Sequence, residues 1–375
     1  MKNSLKEYNI KLGESVESAF LNKIDIYQDG TVPMCRDENG KLWAISGHSH
    51  MGHIGMFCGD CVENLTEAHP ISTDFSVGAA GKAFANIHYP EYVKSRGSVW
   101  PFGLYICPNT HRFFCFFHNE TGWNGQGTAY DALGSCETPR YDSDFRHVGL
   151  MHSDDEGKTW FFDRWVLTGE KLCCTDRYIP EDQNLVGQHG DEVNLGSGDF
   201  SLFVEPDGEY MYIFYNVIKV DVKKGEWNGC DVYVARTRKR TDGVMGDFVK
   251  YYNGSFCEAG NLGRETVIAG SEWHPRVLYS RTLGEYVMAS AAVMPNRTLA
   301  ETIGDYLHLR TSKNLVDWSE PITVERDGKK FGNHYNAIVS GATTEQPNIA
   351  DDEFLFLTCH NGTDVLLTKA KIEKK

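Results

Sequence analysis

The chain contains the stretch Phe200-Ser-Leu-Phe-Val204, Glu205-Pro-Asp-Gly208, Tyr210-Met-Tyr-Ile-Phe-Tyr215, in which two apolar runs flank a short polar segment. Pro, Asp and Gly are residues that favour tight chain reversals, and aromatic or β-branched runs favour strands. A third run, Asp231-Val-Tyr-Val-Ala-Arg236, follows the second. This stretch therefore predicts an antiparallel β-meander.

The same order of elements recurs along the chain, with runs in residues 31–58, 100–152, 275–310 and 337–368. Units of about 60 to 100 residues match the blades of a propeller. We therefore predict an all-β protein, a five-bladed β-propeller that occupies residues 1–375 as a single domain. Residues 1–24 would be an N-terminal closing segment that pairs with the last strand. Chance similarity among antiparallel meanders is the alternative.

Two turns carry further marks of this fold. The segment Ser153-Asp-Asp-Glu-Gly-Lys-Thr-Trp160 matches the Asp-box of sialidase-like propellers, and Thr311 to Pro321 resembles the equivalent turn of five-bladed glycosidases. In both, Asp helps to set the turn while Trp packs on the blade edge, and the first turn also contains Gly157. We expect both turns to be structural rather than catalytic.

Composition narrows the partners and the location. A net charge of -15 argues against a nucleic-acid partner, because binding phosphates needs a clustered basic surface. No run of apolar residues is long enough to span a membrane, and the first residues lack the apolar middle of a secretory signal. The eleven cysteines lie scattered in strands, and Cys58-Gly-Asp-Cys61 lacks the second pair that structural zinc normally needs. These features predict a cytoplasmic protein.

The candidate chemistry lies at the start of each unit's first strand, because those strands line the central channel of a propeller. The residues at these positions are Asp29, Trp100, Asp199, Glu272 and His334. Three carboxylates held close together would have separated pKa values, so that one could donate a proton while another stays ionised. Glycosidic cleavage uses such a pair. The alternative for each acid is an ordinary turn cap.

The surroundings of two of these acids are unusual for simple turns. Glu272-Trp-His-Pro275 places an acid, an aromatic ring and an imidazole within four residues, and Gly196-Ser-Gly-Asp199 leaves room beside its carboxylate.

With these motifs the chain resembles the propeller glycoside hydrolases of family 43, the arabinofuranosidase and xylosidase type. The resemblance implies that Asp29 is the general base, that Asp199 orients and tunes the acid, and that Glu272 is the general acid. It implies no required cofactor and allows a single channel cation such as calcium, supported by His334. The chain departs from the family in having Asp29-Gly30 and Glu272-Trp-His-Pro275 where Asp-Pro and Glu-Gly-Pro are usual.

The predicted function is therefore that of a hydrolase of carbohydrate metabolism, a glycosidase that cleaves a small oligosaccharide. Carbohydrate is the predicted partner, and a homo-oligomer is allowed. The residues predicted to bind substrate are His48, His50, Trp100, His118, Trp273, His274, Arg276 and His334.

Two other functions stay open. His48 and His50 point the same way in an extended segment and could share a metal with Asp29, as in a metal-dependent carbohydrate deacetylase. Otherwise these imidazoles would bond sugar hydroxyls, with no metal. A non-catalytic glycan-binding propeller would instead stack sugars on Trp100, Trp123 and Trp273. A sialidase is favoured less, since only Arg276 and Arg310 could belong to its arginine set.

Overall fold

The computed structural model describes residues 2–18, 32–48, 53–69, 98–120, 146–169, 192–221, 226–295, 297–298, 303–342, 344–360 and 363–375. Strands dominate these ranges, and the helical turns within them are short 3₁₀ segments, Ser4–Glu7 and Val62–Asn64. In this part of the chain, no helix has the length and apolar character needed to cross a membrane.

Strand β1 spans Tyr8–Glu17. The first sheet follows it, with its strands paired in chain order: β2 (Met34–Arg36), β3 (Leu42–His48), β4 (His53–Gly59) and β5 (Thr66–Glu67). The second meander has the strands β6 (Ser98–Ile106), β7 (Phe113–Glu120), β8 (Arg146–Ser153) and β9 (Phe161–Leu167).

The third meander has the strands β10 (Glu192–Val204), β11 (Tyr210–Asp221), β12 (Glu226–Arg238), β13 (Val249–Tyr252) and β14 (Ser255–Ala259). One parallel bridge, Gly196 to Arg146, joins it to β8. The fourth has β15 (Glu272–Ser280), β16 (Glu285–Val293), β17 (Arg297–Thr298), β18 (Ile303–Ser312) and β19 (Ile322–Thr323), of which β17 pairs with β12.

A small hairpin, β20 (Glu325–Arg326) and β21 (Lys329–Lys330), precedes the last sheet. That sheet has β22 (Tyr335–Ser340), β24 (Glu353–His360) and β25 (Thr363–Lys374). Between β22 and β24 the chain forms β23 (Ile349–Ala350), which pairs with β15 in the fourth sheet. The outermost strand of the last sheet is β1, which runs antiparallel to β25 from Tyr8 opposite Lys374 to Glu17 opposite Leu366. Strand β1 lies within residues 1–24, and the extent of the predicted closing segment stays a prediction.

The meanders are arranged as the blades of a β-propeller. The first strands contact one another in chain order, β2 with β6, β6 with β10, β10 with β15, and β15 with β22. The last and first sheets also meet, because Gln346 accepts a hydrogen bond from the backbone N–H of Arg36 at 3.0 Å and donates one to its carbonyl at 2.9 Å. Among the described residues, these first strands lie next to one another around the interior of the propeller, and apolar side chains fill the contacts between neighbouring sheets.

The two marked turns are structural, as predicted. Asp155 accepts hydrogen bonds from the backbone N–H of Thr159 at 2.8 Å and from its hydroxyl at 2.7 Å, and Trp160 is buried. In the other turn, Trp318 donates from Nε1 to the carbonyl of Leu315 at 3.1 Å. Both polar clusters replace backbone partners that a tight turn leaves unsatisfied.

Bulges interrupt the pairing of three consecutive inner strands with their neighbours. The pairing register shifts between Pro101 and Gly103 in β6, between Gly198 and Ser201 in β10, and between Trp273 and Arg276 in β15. A bulge inserts an unpaired residue and redirects the side chains around it. These bulges decide which side chains face the interior.

Candidate functional site

Asp199 is the centre of a polar cluster drawn from three sheets. Its Oδ2 accepts a hydrogen bond from Nε1 of Trp273 at 3.0 Å, and its Oδ1 lies 3.3 Å from Nε2 of His274. Nε of Arg146, on β8, lies 3.8 Å from Oδ2. The backbone N–H of Asp199 donates to Nδ1 of His118, on β7, at 3.0 Å. All of these residues are buried, so the cluster is shielded from bulk solvent.

The charge of Asp199 is set by its neighbours. Burial by itself favours the neutral carboxyl group, but the nearby guanidinium of Arg146 and the hydrogen bond with the imidazole of His274 favour the anion and hold the pKa of Asp199 well below its usual range. Asp199 is therefore an ionised carboxylate at neutral pH. It can stabilise positive charge or accept a proton, but it cannot serve as the proton donor.

The backbone at this cluster is held in an unusual conformation. Asp199 has φ of 45° and His274 has φ of 52°, the left-handed region that residues with a side chain rarely adopt. The buried Asn216 supports the second of these, because its Oδ1 accepts from the N–H of His274 at 2.8 Å while its Nδ2 donates to the carbonyl of Glu272 at 2.8 Å. Such strain persists where surrounding contacts fix it, and it is common at functional sites.

Aromatic and imidazole rings line the same region. The contacts, with ring centroids 4.7 to 5.4 Å apart, connect His334, Tyr335, Trp273, His274, Phe102, His118 and Trp100. Aromatic faces beside polar groups suit sugars, which present both C–H surfaces and hydroxyl groups. The structure thus brings together Trp100, His118, Trp273, His274 and His334, five of the residues predicted to bind substrate. Their roles stay predictions.

Within this cluster, His274 has one unengaged nitrogen. Its Nε2 faces Asp199, while its Nδ1 is buried and has no hydrogen-bond partner in the part of the chain that the structure describes. Buried polar atoms are normally paired with protein or water, so an unpaired one calls for an explanation. An imidazole held by a carboxylate at one nitrogen and free at the other is the arrangement used for proton transfer.

The observed surroundings of Glu272 differ from the predicted ones. We expected its carboxylate to face the channel beside Asp199, but it has no exposed surface and both oxygens are occupied within the protein. Arg310 donates to Oε1 at 2.7 Å, Ser290 donates to Oε2 at 2.7 Å, and Nδ1 of His308 lies 3.1 Å from Oε2. This is the environment of a buried ion pair that braces one sheet. The carboxylate of Glu272 is thus engaged by side chains of its own sheet, and its role as general acid stays a prediction.

Asp199 and Glu272 nevertheless both lie near the buried thiol of Cys230. Burial raises the pKa of Cys230 well above its usual value, and Asp199, Asp231 and Glu272 raise it further. Cys230 donates through Sγ to the carbonyl of Glu272 at 3.5 Å. Asp199 and Glu272 therefore belong to neighbouring parts of the interior, although no hydrogen bond or ion pair between described residues joins their carboxylates.

The two predicted arginines have different surroundings. Arg310 is committed to Glu272 and to the carbonyls of Ser319 and Gly270, at 2.8 and 3.1 Å, so it cannot belong to a substrate-binding arginine set as it stands. Arg276 is buried in β15 and donates through one terminal nitrogen to the carbonyl of Val32 at 3.0 Å.

Several predicted residues lie outside the described residues. These are Asp29, His50 and Trp123, together with the side chain of His48, whose backbone ends β3. Among the described residues, no three His, Cys, Asp or Glu side chains come together as metal ligands. The metal-dependent alternative, which depends on His48, His50 and Asp29, stays a prediction.

Sequence reasoning missed Arg146, Asn216 and Tyr335. Arg146 begins strand β8 of the second meander, and nothing local connects it with Asp199 on the third. For Asn216 the available signal is Pro275, which marks the bulge in β15 where Asn216 bonds the backbone of Glu272 and His274.

Comparisons with known proteins find similar arrangements of strands but no close relative. No protein-family model matches the chain, and no curated protein matches it. Similar solved structures include a thermostable family-43 glycoside hydrolase, with 12% identity, TM-score 0.44, and 96% of this chain and 92% of that chain covered. An α-L-arabinofuranosidase from Lactobacillus brevis has 13% identity and TM-score 0.45, with 95% and 94% covered. A family 117 glycoside hydrolase from the marine bacterium Zobellia galactanivorans has 10% identity and TM-score 0.48, with 99% and 92% covered. At these values, the chemistry of this chain has to be inferred from its own side chains.

Proposed function

We propose that this propeller is a glycoside hydrolase that cleaves a glycosidic bond in a short oligosaccharide. The observation that carries the proposal is the ionised Asp199 in the interior between the first strands, 3.3 Å from an imidazole and bonded to the indole of Trp273. An anionic group beside a proton carrier and aromatic rings is what cleavage through a positively charged sugar transition state requires.

Each group has a distinct proposed role. Asp199 stabilises the positive charge that develops on the sugar ring. His274, held by Asp199 at Nε2, delivers a proton to the leaving oxygen from Nδ1. Asp29 is the proposed base that activates water, since it lies three residues before Val32, whose carbonyl accepts a hydrogen bond from Arg276 of the inner strand β15. Glu272 is assigned a bracing role instead of the acid role expected from the sequence.

The burial of the candidate site and the proposed location of the protein both favour small substrates. The rings around Asp199 are buried, which suits one or two sugar units better than a polymer. A cytoplasmic location, also part of the proposal, would supply short imported glycans. Blade number, five in the sequence prediction, and a homo-oligomeric state belong to the proposal as well.

A glycan-binding protein without turnover is the second candidate. The observation that favours it is the closed ion pair of Glu272, which removes one of the two acids on which the sequence prediction depended. In that case, Trp100 and Trp273 would provide stacking surfaces, and Asp199 would only bond to sugar hydroxyls.

Hydrolysis can be tested with a panel of aryl glycosides and short oligosaccharides, with and without a metal chelator. We expect turnover that the chelator does not change and that Asp199→Asn abolishes. A matched control is Glu265→Gln, since Glu265 is an ion-paired acid with a buried side chain in the segment between β14 and β15, bonded to Lys250 and Tyr215 at 2.7 Å. Sugar binding with no turnover would support the second candidate, and turnover lost on chelation would support the metal-dependent one.

A further inference from the structure

Arg276 is a buried cation without a matching anion among the residues that the structure describes. Its side chain leaves β15 and donates to the carbonyl of Val32, the residue two positions before β2. Strand β22 lies between β15 and β2 in the order of inner strands, so the guanidinium reaches across the interior to a sheet that is not its neighbour. Arg276 is 4% exposed.

The charge of Arg276 is unopposed in the described residues. No Asp or Glu of this part of the chain forms an ion pair with it, and burial alone lowers the pKa of Arg276 to about 10. Arg36 shows the contrast. It too is buried and bonded to carbonyls, those of Glu345 and Gly40, but Asp60 and Asp37 act on its charge.

A guanidinium has five N–H donors in a planar fork that matches a carboxylate, and Arg276 uses one hydrogen bond to a carbonyl. Buried charges are normally paired, so a buried guanidinium without an anionic partner among the described residues, in an interior that holds a candidate active site, is suited to bind an anionic ligand. Nearby in the same strand, His274 also has a buried nitrogen without a partner among the described residues.

We propose that Arg276 binds the carboxylate of an acidic sugar, so that the oligosaccharide processed by this propeller contains a uronic acid unit. The inference rests on the proposed function for the reaction, but it concerns binding and can be measured without turnover. A neutral sugar offers only hydroxyl groups to this guanidinium, whereas a uronate offers two oxygens in the geometry of the fork.

The test measures binding of D-glucuronate and D-galacturonate, with D-glucose and D-galactose as matched neutral probes, by calorimetry and thermal shift at constant ionic strength. We expect the wild-type protein to bind a uronate at least about tenfold more tightly than its neutral counterpart. Arg276→Gln should remove that preference, Arg276→Lys should keep part of it, and Arg36→Gln should leave it unchanged.

Equal binding of uronates and neutral sugars, an unchanged preference in Arg276→Gln, or an equal thermal shift from acetate or chloride would overturn the inference. If Arg276→Gln does not fold, the comparison of charged and neutral probes on the wild type still decides, together with Arg276→Lys. Uronate binding without hydrolysis of any oligosaccharide would remove the proposed hydrolase and leave this inference. Hydrolysis of neutral glycosides without a preference for uronates would support the proposed hydrolase and overturn this inference.

Discussion

Nε2 of His274 lies 3.3 Å from Oδ1 of Asp199, which links the first strands of the third and fourth sheets at the point where both are bulged. Each residue has a left-handed backbone conformation, and each is buried. The pair places an ionised carboxylate and an imidazole in contact inside a ring of strands. The predictions below follow from this pair and from the buried charges around it.

Replacing Asp199 with Asn should abolish hydrolysis and also lower stability. The substitution keeps the shape but removes the negative charge that faces Arg146 and His274, so the buried guanidinium of Arg146 loses its anion. We expect kcat/KM to fall by about a thousandfold and the free energy of unfolding to fall by about 3 kcal/mol. Steady-state kinetics and urea unfolding measure the two effects, and a variant with wild-type activity would contradict the assignment.

Glu272→Gln separates a bracing acid from a catalytic one. If the ion pair with Arg310 is structural, the variant should lose about 3 kcal/mol of unfolding free energy while kcat per folded molecule falls less than about tenfold. A catalytic acid would show a loss of about a hundredfold or more in kcat at nearly unchanged stability. Glu265→Gln provides the matched control for stability, since Glu265 is an ion-paired acid with a buried side chain in the segment between β14 and β15.

His147 should make the protein less stable in mild acid. Burial lowers the pKa of His147 to about 3, and the charges of His118 and Lys250 add to that effect. Between pH 3 and its ordinary value near 6.5, the unfolded chain binds a proton that the folded chain does not. Stability is therefore full above about pH 6.5 and falls by about 1.4 kcal/mol per pH unit below it.

The variant His147→Leu tests this origin of the acid sensitivity. Both ring nitrogens of His147 lack partners among the described residues, so an apolar replacement leaves no donor or acceptor unsatisfied. We expect its unfolding free energy to match the wild type at pH 7 and to exceed it at pH 5. The pH dependence of stability is measured by urea unfolding. If it is identical in the two proteins, the acid sensitivity has to be assigned to other groups such as Asp199.

Lys250 should be essential to the contact between the second and third meanders. Its ammonium group has no exposed surface and bonds Glu265 at 2.7 Å and the carbonyls of Thr168 and Gly263 at 2.7 and 3.2 Å. Lys250→Met leaves Glu265 as an unpaired buried charge, so we expect a loss of about 3 to 5 kcal/mol. The double variant Lys250→Met/Glu265→Leu should recover part of it, and additive losses in thermal unfolding would argue against a coupled pair.

Most strands could be predicted from the sequence because alternating apolar residues and Asp, Asn or Gly turns are local signals. Asp37 illustrates this, since its carboxylate accepts from the N–H groups of Asn39 and Lys41 within one turn. The structure buries both Asp199 and Glu272 but gives their carboxylates different partners, and no local pattern of the sequence indicates those partners. The catalytic roles of both acids stay predictions.

Charge pairing between residues far apart in the sequence explains why the rest of the candidate site could not be predicted. The partners of Glu272 are Ser290, His308 and Arg310 on two other strands of its sheet, and the partner Arg146 of Asp199 lies on another meander. No pattern within one strand indicates which cation will oppose which acid. Sequence could therefore identify the acids but not which of them is left open to a ligand.

The account depends most directly on whether Asp199 is a catalytic carboxylate. The decisive measurement is sugar release from an oligosaccharide that the wild-type protein cleaves, compared with Asp199→Asn at equal folded concentration, with binding of the same oligosaccharide measured by calorimetry. We predict that the variant still binds but releases sugar at least about a hundredfold more slowly. Equal release by both proteins, or binding with no release by the wild type on any tested glycoside, would contradict the account.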